Sequence, residues 1–206
     1  SSTLEHPASM SAMKKWAKNT QRNHIIVEHN DNSGSVDEQA YIKKLTSDVR
    51  VVSIVHTSPV TGMTVDLEKI TKEVRNVTPD CIIIVDGIQH SSHGAIDVQK
   101  YDIDGYVVSP YKMFSRHGYG VAWASERLCT LNKEQLADGP FQNWELGTRD
   151  AGSYATFSDV VDYLDWLGSN FTESENTRER LEASSIAIKS HEQELVDLVI
   201  NGAEDI

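Results

Sequence analysis

The chain has 206 residues, enough for one substantial hydrophobic core and for one or two domains. Its formal net charge of −12 argues against nonspecific binding to nucleic acid or to an anionic membrane surface. No apolar run is long enough for a membrane span, and the N-terminal residues show no secretory signal pattern. The two cysteines, Cys81 and Cys129, are too isolated for a disulfide framework, so we expect a reducing, cytoplasmic environment.

The first third of the chain alternates helical and extended patterns. In chain order, the predicted elements are a helix at Ser9–Asn19, a strand at His24–Glu28, a helix at Asp37–Leu45, a strand at Val49–Val55 and a helix at Val65–Val74. The cluster of small polar residues at Asn30–Ser35 is typical of a loop. Because Val49–Val55 is almost entirely apolar, it favours a strand that is buried on both faces.

Three more strands are predicted in the middle of the chain. They are an apolar run closed by Asp86, a run over Gly105–Ser109 and a run over Gly120–Ala124. Repeated strand–helix–strand units imply a mainly parallel sheet with right-handed crossovers. The sequence therefore predicts an α/β fold with helices flanking the sheet.

The pattern changes after Ser125. Residues 126–148 predict irregular structure with a break at Gly139-Pro140. Two helices are then predicted, at Phe157–Leu167 and Glu175–Val199.

Two polar residues stand out because each follows a buried-strand pattern. Asp86 closes one apolar run, and Lys112 lies three residues beyond another. The carboxyl ends of parallel strands face one crevice, which is where open α/β sheets bind ligands. A carboxylate and an amine there suit pyridoxal phosphate chemistry: the lysine holds the cofactor as a Schiff base and the acid keeps its ring nitrogen protonated. From the pair alone, a helix-capping aspartate and a surface lysine fit equally well.

Four short motifs occur in an order that matches one enzyme family. They are L-E-H at residues 4–6, V-D-G-I-Q at 85–89, S-P-Y-K at 109–112 and W-E-L-G-T at 144–148. Together they resemble the E-H, V-D-G-x-Q, S-x-H-K and E-x-G-T motifs of the class V aminotransferases, which include the cysteine desulfurases. The resemblance implies the fold-type I architecture, pyridoxal 5'-phosphate as cofactor and an amino acid as substrate.

The resemblance also implies a role for each matching residue near the cofactor ring. Lys112 would carry the cofactor as a Schiff base and then move the α-proton of the substrate. Asp86 would pair with the pyridine nitrogen, Gln89 would hydrogen-bond the ring oxygen, and His6 would stack on the ring face. His90, the next residue along the loop, is a weaker candidate.

The phosphate of the cofactor would be held by a second group of residues. Ser109 and Tyr111 would bind it from the same chain, and Thr148 would reach it across a homodimer interface. No metal ion is implied. The expected protein is thus a homodimeric aminotransferase or cysteine desulfurase-like enzyme.

Three departures from the family pattern qualify these roles. Pro59 stands where the family carries an asparagine, so the ring oxygen would depend on Gln89 alone. Tyr111 replaces a histidine; its hydroxyl can donate to a phosphate, but it cannot carry a positive charge.

The third departure is length, since family members are roughly twice as long, and neither Cys81 nor Cys129 lies at the position of the desulfurase nucleophile. We expect residues 1–150 to form the cofactor-binding large domain without its N-terminal part. Residues 151–206 would form the helical connection toward a small domain that the chain lacks.

Three other interpretations remain open at this stage. S-x-x-K at residues 109–112 also fits serine acyl-enzymes, although their companion S-D-N and K-T-G motifs do not occur. His90 and His93 have a spacing that metal ligands use, although no third ligand is evident nearby. The third interpretation is a degenerate, non-catalytic relative, or an inactive fragment, that binds cofactor or a protein partner.

Overall fold

The computed structural model describes residues 1–139, 144–148 and 150–202. Its helices are α1 (Pro7–Asn19), α2 (Glu38–Ile42), α3 (Leu67–Val77), α4 (Glu126–Cys129), α5 (Ala151–Gly168) and α6 (Thr177–Asn201). Its strands are β1 (Val51–Val55), β2 (Ile82–Asp86), β3 (Gly105–Val108) and β4 (Val121–Ala124). Short 3₁₀ turns lie at His90–Ser92 and Pro110–Lys112.

The strands form one sheet in the order β1-β2-β3-β4. β1, β2 and β3 are parallel, whereas β4 returns antiparallel to β3. Val55 pairs with Asp86, and Asp86 pairs with Val107, so the carboxyl ends of the three parallel strands are level. The predicted α/β class with a mainly parallel sheet is confirmed.

A large part of the buried core comes from β1, β2 and α3. Ile54, Ile83 and Val85 are almost inaccessible to solvent, as are Ile70 and Val74 on the buried face of α3. Full burial of each such side chain contributes about 1.5–3 kcal/mol. This packing fixes β1 and β2 and therefore the position of the residues that follow them.

Several helix ends differ from the predictions because side chains cap them. α1 begins at Pro7, since the Nδ1 atom of His6 accepts a hydrogen bond from the Ala8 N–H (3.2 Å). α3 begins at Leu67, since Asp66 accepts one from the Lys69 N–H (3.1 Å). The helix predicted over 37–45 is shorter, α2, and is capped by Asp37.

The strand predicted at His24–Glu28 is wrong. Within the described residues this segment makes a single parallel bridge, between Val27 and Ser2. In the backbone hydrogen bonds of this bridge, the Val27 N–H donates to the Ser1 carbonyl and the Thr3 N–H donates to the Val27 carbonyl. The apolar pattern is present, but a ladder needs a neighbouring strand along its whole length.

Residues 126–148 are mostly irregular where the structure describes them, apart from α4. Pro140, half of the predicted Gly139-Pro140 break, lies outside the described residues. The helices predicted at 157–167 and 175–199 are present as the longer α5 and α6. No described helix is long and apolar enough to cross a membrane.

The described residues form two compact units. The first comprises those in 1–90, 97–109 and 120–149 and contains the sheet. The second comprises those in 91–96, 110–119 and 150–206, where α5 packs on α6. The assignment of 1–150 to a cofactor-binding domain and of 151–206 to a helical connection stays a prediction.

Candidate functional site

Asp86 is the last residue of β2, and its side chain is held in one orientation. The residue is 7% exposed. Its Oδ2 atom accepts a hydrogen bond from the Ser9 hydroxyl (3.0 Å), and its Oδ1 atom accepts one from the Ile88 N–H (3.1 Å). Both donors are neutral, and no basic side chain of the described residues forms an ion pair with this carboxylate. The buried carboxylate can therefore accept a further, positively charged N–H donor.

The L-E-H segment brings α1 to the end of β2. Glu5 is buried, and its Oε1 atom accepts hydrogen bonds from the N–H groups of Val55 (3.1 Å) and Ser2 (3.3 Å). Burial is the largest influence on this carboxyl group and raises its pKa. These bonds join the segment to the end of β1, and α1, which starts two residues later, places Ser9 beside Asp86.

Tyr106 packs directly beneath the residue after Asp86. A Cβ atom on Gly87 would overlap the buried ring of Tyr106, so only glycine fits here without rearrangement. The Gly87 N–H donates to the carbonyl of Val107 on β3 (3.0 Å). The Tyr106 ring therefore determines how closely the backbone after β2 approaches β3.

A histidine pair lies next to this tyrosine. The Nδ1 atom of His56 is 2.8 Å from the Tyr106 hydroxyl, and the His56 ring stacks on that of His90, with centroids 3.5 Å apart. The Nδ1 atom of His90 is 2.9 Å from the Thr57 hydroxyl. Burial, and then the neighbouring His90, lower the pKa of His56 to about 3. His56 is therefore neutral at physiological pH and acts as a packed, hydrogen-bonded support.

The segment that contains Lys112 belongs to the second unit. Lys112 closes the Pro110–Lys112 turn, and its Nζ atom is 6.0 Å from the centroid of the Tyr111 ring. Tyr111 is exposed and stacks on His117, with ring centroids 4.2 Å apart and planes 17° apart. The Ser115 hydroxyl, 2.9 Å from that of Thr156, anchors the segment to α5.

Four predicted site residues remain, and their places in the fold are as follows. Gln89 is half-buried on the loop that follows Asp86, and Ser109 is half-buried directly after β3. Thr148 and His6 are exposed, and His6 caps α1 through its ring nitrogen. Their proposed contacts with a cofactor stay predictions.

The alternative of a metal site at His90 and His93 finds no support in the described part of the chain. No group of three or more His, Cys, Asp or Glu side chains there suits a metal ion. The His90 ring stacks on that of His56, and the Nδ1 atom of His93 is hydrogen-bonded to the Oε1 atom of Glu192 (2.7 Å). Cys81 is fully buried just before β2, at the opposite end of the strand from Asp86, and burial raises the pKa of its thiol.

Sequence reasoning missed the residues that support Asp86. Ser9, Tyr106 and His56 all lie outside the roles taken from the motifs. The one available signal was position: His56 comes directly after β1 and Asp86 ends β2, so both had to lie at the same edge of the sheet.

Comparison with known proteins places this geometry in context. A family model described as Aminotransferase class-V matches residues 1–193. A probable cysteine desulfurase from Mycoplasma genitalium is 29% identical over 124 residues, 60% of this chain and 30% of that relative. The apo structure of a cysteine desulfurase from Thermococcus onnurineus gives a TM-score of 0.75 at 20% identity, covering 97% of this chain and 49% of that one. A C-DES mutant with glycine covalently linked to its pyridoxal phosphate cofactor gives 0.59 at 16% identity, covering 93% and 48%.

The chain thus spans about half the length of these solved structures and about a third of the curated relative. At these identities the structural likeness establishes the fold. That fold is the fold-type I architecture, as the sequence predicts.

Proposed function

The chain belongs to the class V aminotransferase family, and on that premise we propose that it works as a pyridoxal phosphate-dependent enzyme on an amino acid. The bound cofactor supplies an electron sink that stabilises negative charge at the substrate α-carbon. The observation that carries the proposal is the buried Asp86 carboxylate at the level carboxyl ends of three parallel strands.

The hydrogen bonds that Asp86 accepts make it a suitable partner for the ring nitrogen of this cofactor. Ser9 and the Ile88 N–H supply two neutral hydrogen bonds and hold both oxygens in place. A buried carboxylate that has only neutral donors is stabilised further by a cationic N–H partner. Opposite charges in a poorly solvated site favour each other's ionised form. Asp86 would therefore keep the ring nitrogen protonated.

Lys112 would bind the cofactor covalently through Nζ. Once a substrate amine takes its place, the free Nζ atom would take up and return the α-proton. The turn at Pro110–Lys112, continued by a segment anchored to α5 through Ser115, would hold this amine in position.

The other motif residues complete the proposed site. His6 would stack on the ring and Gln89 would hydrogen-bond its oxygen, while Ser109, Tyr111 and, across a homodimer interface, Thr148 would bind phosphate. The homodimer and the cytoplasmic location remain predictions.

The reaction type is proposed at the level of the family, as an aminotransferase or a cysteine desulfurase-like activity. Several relatives are named cysteine desulfurases. Cys81 would not serve as a persulfide carrier, because it is fully buried with a raised thiol pKa.

The test is to identify the lysine that binds the cofactor. The purified protein would be incubated with pyridoxal phosphate, reduced with borohydride and digested, and the modified peptide would be identified by mass spectrometry. We expect one modified residue, Lys112, and loss of that label in Lys112→Ala. Lys100→Ala, which removes an exposed lysine paired with Asp97, serves as the control and should keep the label. Label spread over surface lysines, or label that persists at another residue in Lys112→Ala, would contradict the proposal.

A further inference from the structure

We propose that His117, stacked on Tyr111, supplies the positive charge of the phosphate site for the cofactor. The inference rests on the proposed function, because it assumes that pyridoxal phosphate binds near Lys112. It assigns a role to a residue that lies outside all four motifs.

The geometry brings His117 to Tyr111. The two rings are nearly parallel, 17° apart, with centroids separated by 4.2 Å. Phe114 has a positive φ angle of 66°, and the Ser115 N–H donates to the Pro110 carbonyl (3.1 Å), so the chain after Lys112 turns back and returns His117 to Tyr111. The Ser115 hydroxyl is within hydrogen-bond distance of the hydroxyls of Tyr119 (2.6 Å) and Thr156 (2.9 Å), which connects this loop to α5.

Both side chains are available to a ligand. Tyr111 and His117 are exposed, and within the described residues neither the Tyr111 hydroxyl nor the His117 ring nitrogens form a hydrogen bond with the protein. Lys112 lies beside them, with its Nζ atom 6.0 Å from the Tyr111 ring centroid. A phosphate ester on a ligand attached to Lys112 would therefore meet two unused donor groups on the same short segment.

The chemistry explains why the pair is needed. A phosphate monoester carries close to two negative charges at neutral pH, and charged donors bind it about twice as strongly as neutral ones. Tyr111 offers a neutral hydroxyl, whereas a protonated His117 offers a charged N–H. Arg116, on the same segment, pairs through its guanidinium with Asp150 (3.4 Å). With Lys112 joined to the cofactor and Arg116 paired with Asp150, His117 is the side chain beside Tyr111 that can add a charged donor to the neutral hydroxyl.

The experiment compares a ligand that has the phosphate with one that lacks it. Dissociation constants for pyridoxal phosphate and for pyridoxal would be measured by absorbance titration of the cofactor-free protein, for wild type, His117→Ala, His117→Gln and Tyr111→Phe. We expect His117→Ala to weaken pyridoxal phosphate binding about tenfold or more and to leave pyridoxal binding within about twofold. His117→Gln, which keeps a neutral donor, should fall between wild type and His117→Ala, and so should Tyr111→Phe.

The control is His191→Ala, which removes an exposed histidine on α6 and should match wild type with both ligands. Inorganic phosphate should compete with pyridoxal phosphate less well in His117→Ala than in wild type. Equal weakening of both ligands, or an unchanged affinity for pyridoxal phosphate in His117→Ala, would overturn the inference. If Lys112 is labelled by borohydride while His117→Ala binds normally, this inference fails alone; if Lys112 is not labelled, the proposed function fails.

Discussion

Asp104 holds the amino-terminal side of the sheet together, and replacing it with asparagine should destabilise the protein by about 3 kcal/mol. Asp104 is 1% exposed. Its carboxylate accepts hydrogen bonds from the guanidinium groups of Arg75 (2.9 Å) and Arg127 (2.7 Å), and from the Ile83 N–H (2.8 Å) and the Ser125 hydroxyl (3.1 Å). An amide has one accepting oxygen, and its NH₂ group would face a guanidinium that also only donates.

The expected size of this destabilisation follows from the exposure of the two arginine side chains. Removing one partner of a buried ion pair costs about 3–5 kcal/mol. The Arg75 side chain is 11% exposed and would stay buried without its carboxylate, whereas Arg127 is 40% exposed and can be hydrated instead. The loss should therefore lie near the lower end of that range.

The assay is urea unfolding followed by circular dichroism at pH 7, with Asp102→Asn as the matched control. Asp102 also approaches Arg75 (3.5 Å), but its side chain is 74% exposed. Its replacement should cost less than about 1 kcal/mol, because exposed ion pairs contribute little. Equal destabilisation by the two substitutions would refute the reasoning.

The pH dependence gives an independent check. Burial alone would raise the pKa of Asp104, but the Ile83 N–H and the two guanidinium groups outweigh it and lower the pKa below the ordinary value of 3.8. A carboxyl group with a lowered folded pKa contributes stability that is complete above its unfolded pKa and is lost as the pH falls through the folded value. The difference in the free energy of unfolding between wild type and Asp104→Asn should therefore decrease below about pH 4. A gap that stays constant from pH 7 to pH 3 would contradict this account.

Two further predictions concern the support around Asp86. Gly87→Ala should lower the free energy of unfolding by about 1–3 kcal/mol, because its Cβ would overlap the Tyr106 ring. Urea unfolding tests this against Gly147→Ala, where nothing lies within 4 Å of the new Cβ; equal stability of the two variants would show the prediction to be wrong. Ser9→Ala should weaken pyridoxal phosphate binding about fivefold, the loss of one hydrogen bond to Asp86, while Ser9→Thr keeps the hydroxyl. Titration of the cofactor-free protein tests this, and unchanged affinity in Ser9→Ala would count against it.

The sequence by itself determined the parts of this protein that depend on neighbours along the chain. Apolar runs predicted β1 and β2, and the sequence pattern predicted α3. The position of Asp86 at the end of β2 followed from the apolar run before it. Such patterns are local: a strand or helix that must bury one face shows it within a few residues.

The tertiary structure decided the rest, because contacts between distant segments leave no periodic pattern in the chain. The His24–Glu28 run had the composition of a strand, yet it lacks a full-length neighbour with which to pair. The sequence of β4 resembles that of the other strands in its apolar pattern, but its antiparallel direction depends on how the chain returns to β3. The hydrogen bond from Ser9 to Asp86 joins residues 77 positions apart, and the stack of His56 on His90 exists only because β1 and β2 are neighbours. Local patterns thus specify which residues end the strands, while packing selects which side chains support them.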